Sequence, residues 1–309
     1  MTPDPRSSSP GDAQALRERA QVGAAKGLTP RATLDATMTA DDYREFCRFL
    51  ERASGIVLGD NKQYLVASRL NRLLSDAGFT RFADLLAALR SGGSQALGSR
   101  IVDAMTTNET SWFRDEHPFA ALRELMLPEL AKTRRGQLRI WSAACASGQE
   151  PYSIAMILRE YRRANPGSLP TDAYVLGTDI STAMLDVARA GHYDQFAVGR
   201  GLPDEYRQRY FRRRGGGLEL LPELRDSVQF RQLNLLQSHA HLGRFDAIFC
   251  RNVLIYFALE HKNAVLERLA ASLTPGGFLV LGGTESLTAA GAVLERVRHG
   301  GGVVYRRRP

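Results

Sequence analysis

Cysteine, lysine and long apolar stretches are the scarce features of this 309-residue sequence. Its three cysteines, Cys47, Cys145 and Cys250, form neither a disulfide framework nor a CxxC zinc motif, which indicates a reducing, cytoplasmic compartment. No apolar run approaches the roughly 18 residues that a membrane-spanning helix needs, so we expect no membrane insertion. The N-terminal segment MTPDPRSSSPGDAQ has no apolar core after a basic start, which argues against a secretory signal.

Histidines are also few. The six of them show no metal-binding spacing with carboxylates, so we expect no metal site. His239 and His241 lie in a polar segment, where we expect them to be solvated.

Positive charge is abundant, but only four of the 41 basic residues are lysines. The net charge of +8 has two explanations that composition cannot separate. One is an arginine-rich composition spread over solvated faces. The other is an anionic partner, either nucleic acid or an acidic protein surface.

The chain divides into four stretches. Residues 1–38 are rich in Pro, Ser, Gly and Ala and predict a flexible tail. Residues 39–105 show apolar side chains at three- and four-residue spacing, which predicts a small all-helical domain of about four helices. Residues 106–136 form a linker and the first helix of the next domain, which occupies residues 137–309.

Residues 137–309 predict an α/β fold with a Rossmann-like, mostly parallel sheet. An antiparallel hairpin at 293–307 completes the sheet, and residues 202–227 form a small antiparallel β insertion. We expect the insertion to hold a helix at 204–210 and a hairpin between Phe211 and Leu221. The predicted strands are 138–143, 174–178, 228–233, 245–250 and 278–282, and the predicted helices are 151–161, 183–190 and 260–273.

The segment after the first strand carries the first functional signal. It contains one glycine, Gly148, and so lacks the GxGxxG pattern of dinucleotide sites. Glu150 lies at the start of the following helix, where its charge is favourable to the helix dipole but repels a phosphate. This site favours a nucleoside with positive charge, such as S-adenosylmethionine, over NAD.

Polar residues end the other predicted strands, where ligands bind in open parallel sheets. Asp179 suits the ribose hydroxyls of a nucleoside. Its alternative role is the N-cap of the following helix, for which Ser181 is equally suitable. Asn234 suits the edge of an adenine, and Arg251 and Asn252 lie where the transferred group is expected. Each residue taken singly also fits a turn.

The linker is unusually polar for a connection between domains. Its sequence TTNETSWFRD surrounds an aromatic anchor, Trp112, and we expect it to fold over the bound ligand. Arg114 can pair with a carboxylate of the cofactor or of the substrate.

The motifs TTNETSWFRD, IWSAACASGQEPYSIAM, TDIS, RGLP, LNL, FDAIFCRNVLIYF and LTPGGFLVLGGTESL resemble the chemotaxis receptor methyltransferase (CheR) family, in order and spacing, from about residue 39 to 307. The resemblance implies a class I methyltransferase fold that uses S-adenosylmethionine to methylate glutamates of methyl-accepting chemotaxis receptors. It implies that Arg114 and Tyr256 lie near the reacting methyl group. The cofactor would be held by residues matching Asn108, Thr110, Arg114, Glu150, Asp179, Asn234, Leu235, Arg251 and Asn252.

The reaction that this resemblance implies needs no general base, and the sequence offers no convincing one. A glutamate carboxylate is ionised at pH 7 and attacks the sulfonium methyl group directly. Two alternatives remain. Net charge suggests a nucleic-acid methyltransferase, although the fourth strand ends in CRNV rather than in the Asn/Asp-Pro-Pro-aromatic run typical of base amino-group methylation. The other is a non-catalytic signalling module.

The helical domain offers a docking surface for the glutamate-bearing receptor helices. Its basic residues are Arg44, Arg48 and Arg52, which form one helical stripe, and Lys62, Arg69 and Arg72 on the second helix. A solvated face partly neutralised by Glu45 and Glu51 is the alternative. Some family members grip a receptor C-terminal peptide through the β insertion, but the short, basic loop at 212–217 argues against such tethering here.

Overall fold

The computed structural model describes residues 38–91, 95–133, 136–169 and 173–309. The predicted tail therefore lies outside the described residues, apart from Met38. No helix within the described ranges is long and apolar enough to cross a bilayer.

Four helices form the first domain: α1 (Ala40–Ser54), α2 (Gln63–Asp76), α3 (Phe82–Arg90) and α4 (Gln95–Met105). Thr39 caps α1 through a capping box with Asp42, and Gly55 ends the helix at a φ of 80°. The buried apolar side chains of the four helices share one core, in which the rings of Phe46 and Phe82 meet edge to face.

A seven-stranded sheet forms the centre of the second domain. Its order is β6-β2-β1-β7-β8-β10-β9, and only the β10 and β9 pairings are antiparallel. The strands are β1 (Leu138–Ala143), β2 (Ala173–Asp179), β6 (Val228–Gln232), β7 (Phe245–Cys250), β8 (Leu273–Leu281), β9 (Leu294–His299) and β10 (Gly302–Arg307). The predicted α/β class, the mostly parallel sheet and the terminal hairpin are confirmed.

The main helices of this domain cover both faces of the sheet and bury two apolar cores. The first helical stretch combines α5 (His117–Ala121), a π-helical turn (Leu122–Met126) and α6 (Leu127–Thr133). The remaining main helices are α7 (Gln149–Ala164), α8 (Thr182–Ala190) and α12 (Leu259–Ala271), with short 3-10 turns at Ala240–Leu242 and Leu254–Tyr256.

The β insertion contains the predicted hairpin, β4 (Phe211–Arg214) and β5 (Gly217–Leu220), after α9 (Gln195–Gly199) and α10 (Asp204–Tyr210) and before α11 (Pro222–Arg225). A third strand, β3 (His192–Asp194), pairs with β5 and was not predicted. Three residues are too few to show an alternating pattern. The small sheet therefore begins ten residues before the predicted boundary at 202.

Two further predictions are corrected. The last long helix ends at Ala271, not at Leu273, and β8 begins at Leu273, not at 278. Gly276 has a φ of 74°, and the pairing with β7 shifts register beside it, so the TPGG segment belongs to the strand and contains an irregularity.

Candidate functional site

A cavity lies at the carboxyl ends of β1 and β7, where the strand order reverses and the following segments diverge. Residues 105–111, the end of α1 and Phe257 line its other sides. All the residues predicted for the cofactor and for catalysis line this one cavity: Asn108, Thr110, Arg114, Glu150, Asp179, Asn234, Leu235, Arg251, Asn252 and Tyr256.

The loop between β1 and α7 lines the cavity with backbone in an unusual conformation. Ala144 and Ala146 have positive φ values of 57° and 46°, which residues other than glycine rarely adopt. Gly148 follows with a φ of 96° and precedes the first turn of α7. Such strain persists only where neighbouring groups impose it, and it clusters at ligand sites.

Asp179 is one of the groups that impose this conformation. One carboxylate oxygen accepts a hydrogen bond from the N–H of Ala146 at 2.8 Å, and the other accepts from the N–H of Ser181 at 2.9 Å. Ser181, not Asp179, caps α8 through its hydroxyl group. Burial raises the pKa of Asp179, and the two N–H donors oppose this shift. Each oxygen keeps a lone pair for a ligand hydroxyl.

Arg251 joins three parts of the site. Its guanidinium donates to Glu150 at 2.8 Å, to Asp115 at 2.7 Å and to the carbonyl of Arg114 at 2.8 Å. The side chain is 2% exposed, and its buried Nε has no hydrogen-bond partner within the described residues. Glu150 also accepts from the Ser142 hydroxyl at 2.7 Å. Arg251 therefore fixes the orientation of Glu150 and ties the linker to the sheet.

The linker, residues 106–115, lies across the cavity and is anchored by Trp112. The indole N–H donates to the carbonyl of Ala197 at 3.1 Å, and the ring meets Tyr193 and Phe211 edge to face. Tyr193 in turn donates to the carbonyl of Ser147 in the β1–α7 loop at 2.8 Å. The β insertion thus contacts both the linker and the cofactor loop.

The side chain of Asn234, expected at the edge of an adenine, makes hydrogen bonds within the protein. Its amide donates to the carbonyl of Ala53 in α1 at 2.8 Å, and its oxygen accepts from the N–H of Leu236 at 3.0 Å. Its side chain therefore joins the two domains at the edge of the cavity. The Leu235 carbonyl accepts from the ring of His239 at 3.1 Å.

His239 is buried, with 2% of its surface exposed, so the prediction that it is solvated is wrong. Its ring lies edge to face against Trp141, in a pocket that the polar sequence around it did not indicate. Burial lowers its pKa to about 4. His241 is exposed as predicted.

Glu285 is a buried residue next to the site that the sequence analysis did not single out. Its buried carboxylate accepts hydrogen bonds from the backbone N–H groups of residues 252–255 at 2.8–3.3 Å and of Gly282 at 2.8 Å. These bonds hold Asn252 at a φ of 56° and place the turn that carries Tyr256. The only sequence signal was its place in the LGGTESL motif.

The predicted docking residues fall into two groups. Arg44, Arg48, Arg52, Lys62 and Arg72 are exposed. Arg69 instead donates to the carbonyls of Met105 and Thr106 at 2.6 and 3.2 Å, so it secures the end of α4 and the start of the linker. We therefore correct its assignment, because its guanidinium is used inside the protein.

Two family profiles match the chain. Residues 41–106 match the profile described as "CheR methyltransferase, all-alpha domain", and residues 108–299 match "CheR methyltransferase, SAM binding domain". The chain belongs to the CheR family of chemotaxis methyltransferases. Family membership identifies it as an S-adenosylmethionine-dependent methyltransferase.

Three relatives show how far the similarity extends. Chemotaxis protein methyltransferase 1 of Vibrio cholerae is 49% identical over 87% of this chain and 98% of its own length. The protein of the same name from Pseudomonas aeruginosa is 49% identical over 86% of this chain and 97% of its own. The chemotaxis protein methyltransferase of Escherichia coli is 37% identical over 80% of this chain and 84% of its own.

The cavity of this CheR chain suits the cofactor chemically. Two carboxylates, Glu150 and Asp179, and the buried, unpartnered Oδ1 of Asn252 offer acceptors for the amino and hydroxyl groups of S-adenosylmethionine. Arg114 offers a cation for its carboxylate. Apolar side chains such as Ile56 and Leu233 complete the lining, as an adenine ring requires.

Proposed function

We propose that this enzyme methylates glutamate side-chain carboxylates of chemoreceptors, in the cytoplasm, as part of chemotaxis adaptation. The products are glutamate methyl esters and S-adenosylhomocysteine. The observation that carries the proposal is the convergence of the ten predicted side chains on one cavity, in a chain of the CheR family. The relatives are named as chemotaxis methyltransferases, which supports the pathway.

The transfer requires no general base. When bound, S-adenosylmethionine supplies an electrophilic methyl group, and its transfer forms an O–C bond while the S–C bond breaks. The glutamate nucleophile is ionised at neutral pH, so no proton has to move. Catalysis then depends on alignment of the carboxylate with the methyl group and on exclusion of water.

The residues at the cavity have three roles: they hold the cofactor, orient the substrate or position other side chains. Glu150, Asp179 and Asn252 hold the cofactor, with Asn108, Thr110, Asn234 and Leu235 completing its contacts. Arg114 pairs with the carboxylate of the cofactor and, with Tyr256, orients the attacking carboxylate. Arg251 is a positioning residue, because its guanidinium holds Glu150 and the linker. The linker excludes water where it crosses the cavity.

The partner is the helical cytoplasmic region of a receptor. The basic stripe on α1 complements glutamate-bearing helices. Arg44 pairs with Asp41, whereas the two carboxylates named above as able to neutralise the stripe have other partners. Glu45 pairs with Arg90, and Glu51 lies 3.8 Å from His261. In the β insertion, Arg212 and Arg214 both pair with Glu219 across a short turn, so we expect no tethering of a receptor C-terminal peptide.

One assay tests the proposal. The enzyme is given cofactor labelled in the methyl group, together with either chemoreceptor-containing membranes or RNA, and the product is treated with alkali. Receptor label that is released as volatile methanol identifies a carboxyl methyl ester. Alkali-stable label on RNA would replace the proposal with nucleic-acid methylation, and no label on either substrate would favour a non-catalytic signalling module.

A further inference from the structure

Three exposed apolar side chains lie beside the residues that line the cavity. Val57, Ile255 and Leu259 are 45%, 51% and 64% exposed, and among the described residues only Tyr64 and Phe196 are other large apolar side chains at least as exposed as Val57. We call them the apolar rim. Val57 follows Ile56, and Ile255 precedes Tyr256, both of which line the cavity.

Backbone and side-chain contacts hold the rim together. The N–H of Val57 donates to the carbonyl of Tyr256 at 2.9 Å, and Ile56 forms an antiparallel bridge with Phe257. His261 Nε2 in the first turn of α12 lies 3.8 Å from Glu51 Oε1 in α1, so the start of α12 lies next to α1. The rim therefore combines both domains at the edge of the cavity.

The basic stripe leads to this rim. Arg44, Arg48 and Arg52 lie on successive turns of α1, and the chain passes from the end of that helix through Gly55 to Val57. Within the described residues, no carboxylate lies within 4 Å of Arg48 or Arg52. A macromolecule that brings a carboxylate to Tyr256 comes close to Ile255 and Val57, because Ile255 precedes Tyr256 in the chain and Val57 bonds to its carbonyl.

We propose that the apolar rim binds apolar side chains of the receptor segment that carries the target glutamate. This inference rests on the proposed function and adds a specificity surface to it. The stripe attracts an acidic helix over a long range, whereas the rim recognises apolar side chains about one helical turn from the glutamate. Contiguous exposed apolar area is typical of surfaces that contact another macromolecule.

Two rim variants and two controls test the inference. Ile255→Ser and Leu259→Ser remove apolar area at the cavity edge, whereas Phe196→Ser and Val293→Ser remove exposed apolar side chains elsewhere. We expect the double rim variant to lower kcat/KM for receptor membranes roughly tenfold, mainly through KM. We expect the controls to match the wild-type enzyme. Affinity for S-adenosylhomocysteine and the unfolding temperature should not change in any variant.

A conservative pair sharpens the test. Ile255→Leu and Leu259→Met keep the apolar area, and we expect near-wild-type kinetics from both. Receptor kinetics of the serine variants that equal those of the controls would overturn the role of the rim, while the proposed function would stand. A wild-type enzyme that forms no alkali-labile ester on receptors would instead overturn the proposed function and this inference with it.

Discussion

Ionisable side chains inside this molecule are compensated in three ways. Asp179 and Glu285 accept hydrogen bonds from backbone N–H groups, and Arg251 is enclosed by two carboxylates and a carbonyl. The third way is neutrality. His239 has one hydrogen bond, to the carbonyl of Leu235, and its ring stays neutral because burial lowers its pKa. Buried charge is tolerated only with such partners.

His239 gives the first prediction, a dependence of stability on acid pH. Its pKa is about 4 in the folded protein and about 6.5 in the unfolded chain, so the unfolded chain binds more protons between these values. The stabilisation is complete above pH 6.5 and is lost as the pH falls towards 4. Because one pKa unit corresponds to about 1.4 kcal/mol, the loss is about 3 kcal/mol.

His239→Gln tests this, since the glutamine amide still donates a hydrogen bond but does not titrate. Urea unfolding at several pH values should show a smaller loss of stability for the variant between pH 6.5 and 4. His241→Gln, at an exposed neighbouring position, should keep the wild-type slope. Parallel curves for wild type and His239→Gln would show that His239 does not carry this dependence.

At the scale of elements, the loops carry more of the site than the helices do. The sequence was sufficient to predict most helices and strands of the sheet domain, because apolar periodicity is a local property. It did not reveal β3, the early start of β8 or the partners of Glu285, because these depend on pairing between distant segments. The TPGG segment lay between the predicted helix and the predicted strand, whereas the sheet includes it in β8.

The turn at residues 282–285 and the loop at 252–255 form one unit, which gives the second prediction. Glu285→Gln replaces a carboxylate oxygen with an NH2 group that cannot accept from the surrounding N–H donors. We expect a loss of about 2 kcal/mol in stability and a roughly tenfold lower kcat, because Asn252 and Tyr256 lose their fixed positions. Thermal unfolding and saturation kinetics with receptor membranes measure the two effects.

Glu295→Gln is the matched control, since Glu295 is an exposed carboxylate on β9. It removes the same charge and should leave both quantities unchanged. If Glu285→Gln unfolds at the wild-type temperature and keeps the wild-type kcat, the carboxylate does not organise this loop.

At the scale of the whole molecule, the two domains build one site. Ser54, Ile56 and Met105 of the helical domain line the cavity, and Asn234 bonds to the carbonyl of Ala53. The residues predicted from the strand ends, together with those that the family resemblance implied, all line the cavity. Motif spacing gave no information on which face of the helical domain meets the sheet, because that face is specified by packing between domains.

The basic stripe on α1 gives the last prediction, which concerns the encounter of the whole molecule with its receptor. Reversal of Arg44, Arg48 and Arg52 to Glu should lower kcat/KM for receptor membranes about tenfold or more at low salt, because it replaces attraction with repulsion. The deficit should narrow at about 0.5 M salt, where exposed charges are screened over a few ångströms. Calorimetry should show unchanged affinity for S-adenosylhomocysteine, since the stripe lies outside the cavity lining.

A second triple variant is the control for net charge. In it, three exposed arginines of the sheet domain, Arg163, Arg213 and Arg231, are replaced by Glu. Both triple variants move the charge of +8 by the same amount, so a general effect of charge would slow them equally. A larger, salt-sensitive deficit in the α1 variant alone would assign the encounter to the helical domain. An equal loss of kcat/KM in both variants, or a loss in the α1 variant that salt does not reduce, would show that the stripe is a solvated face without a docking role.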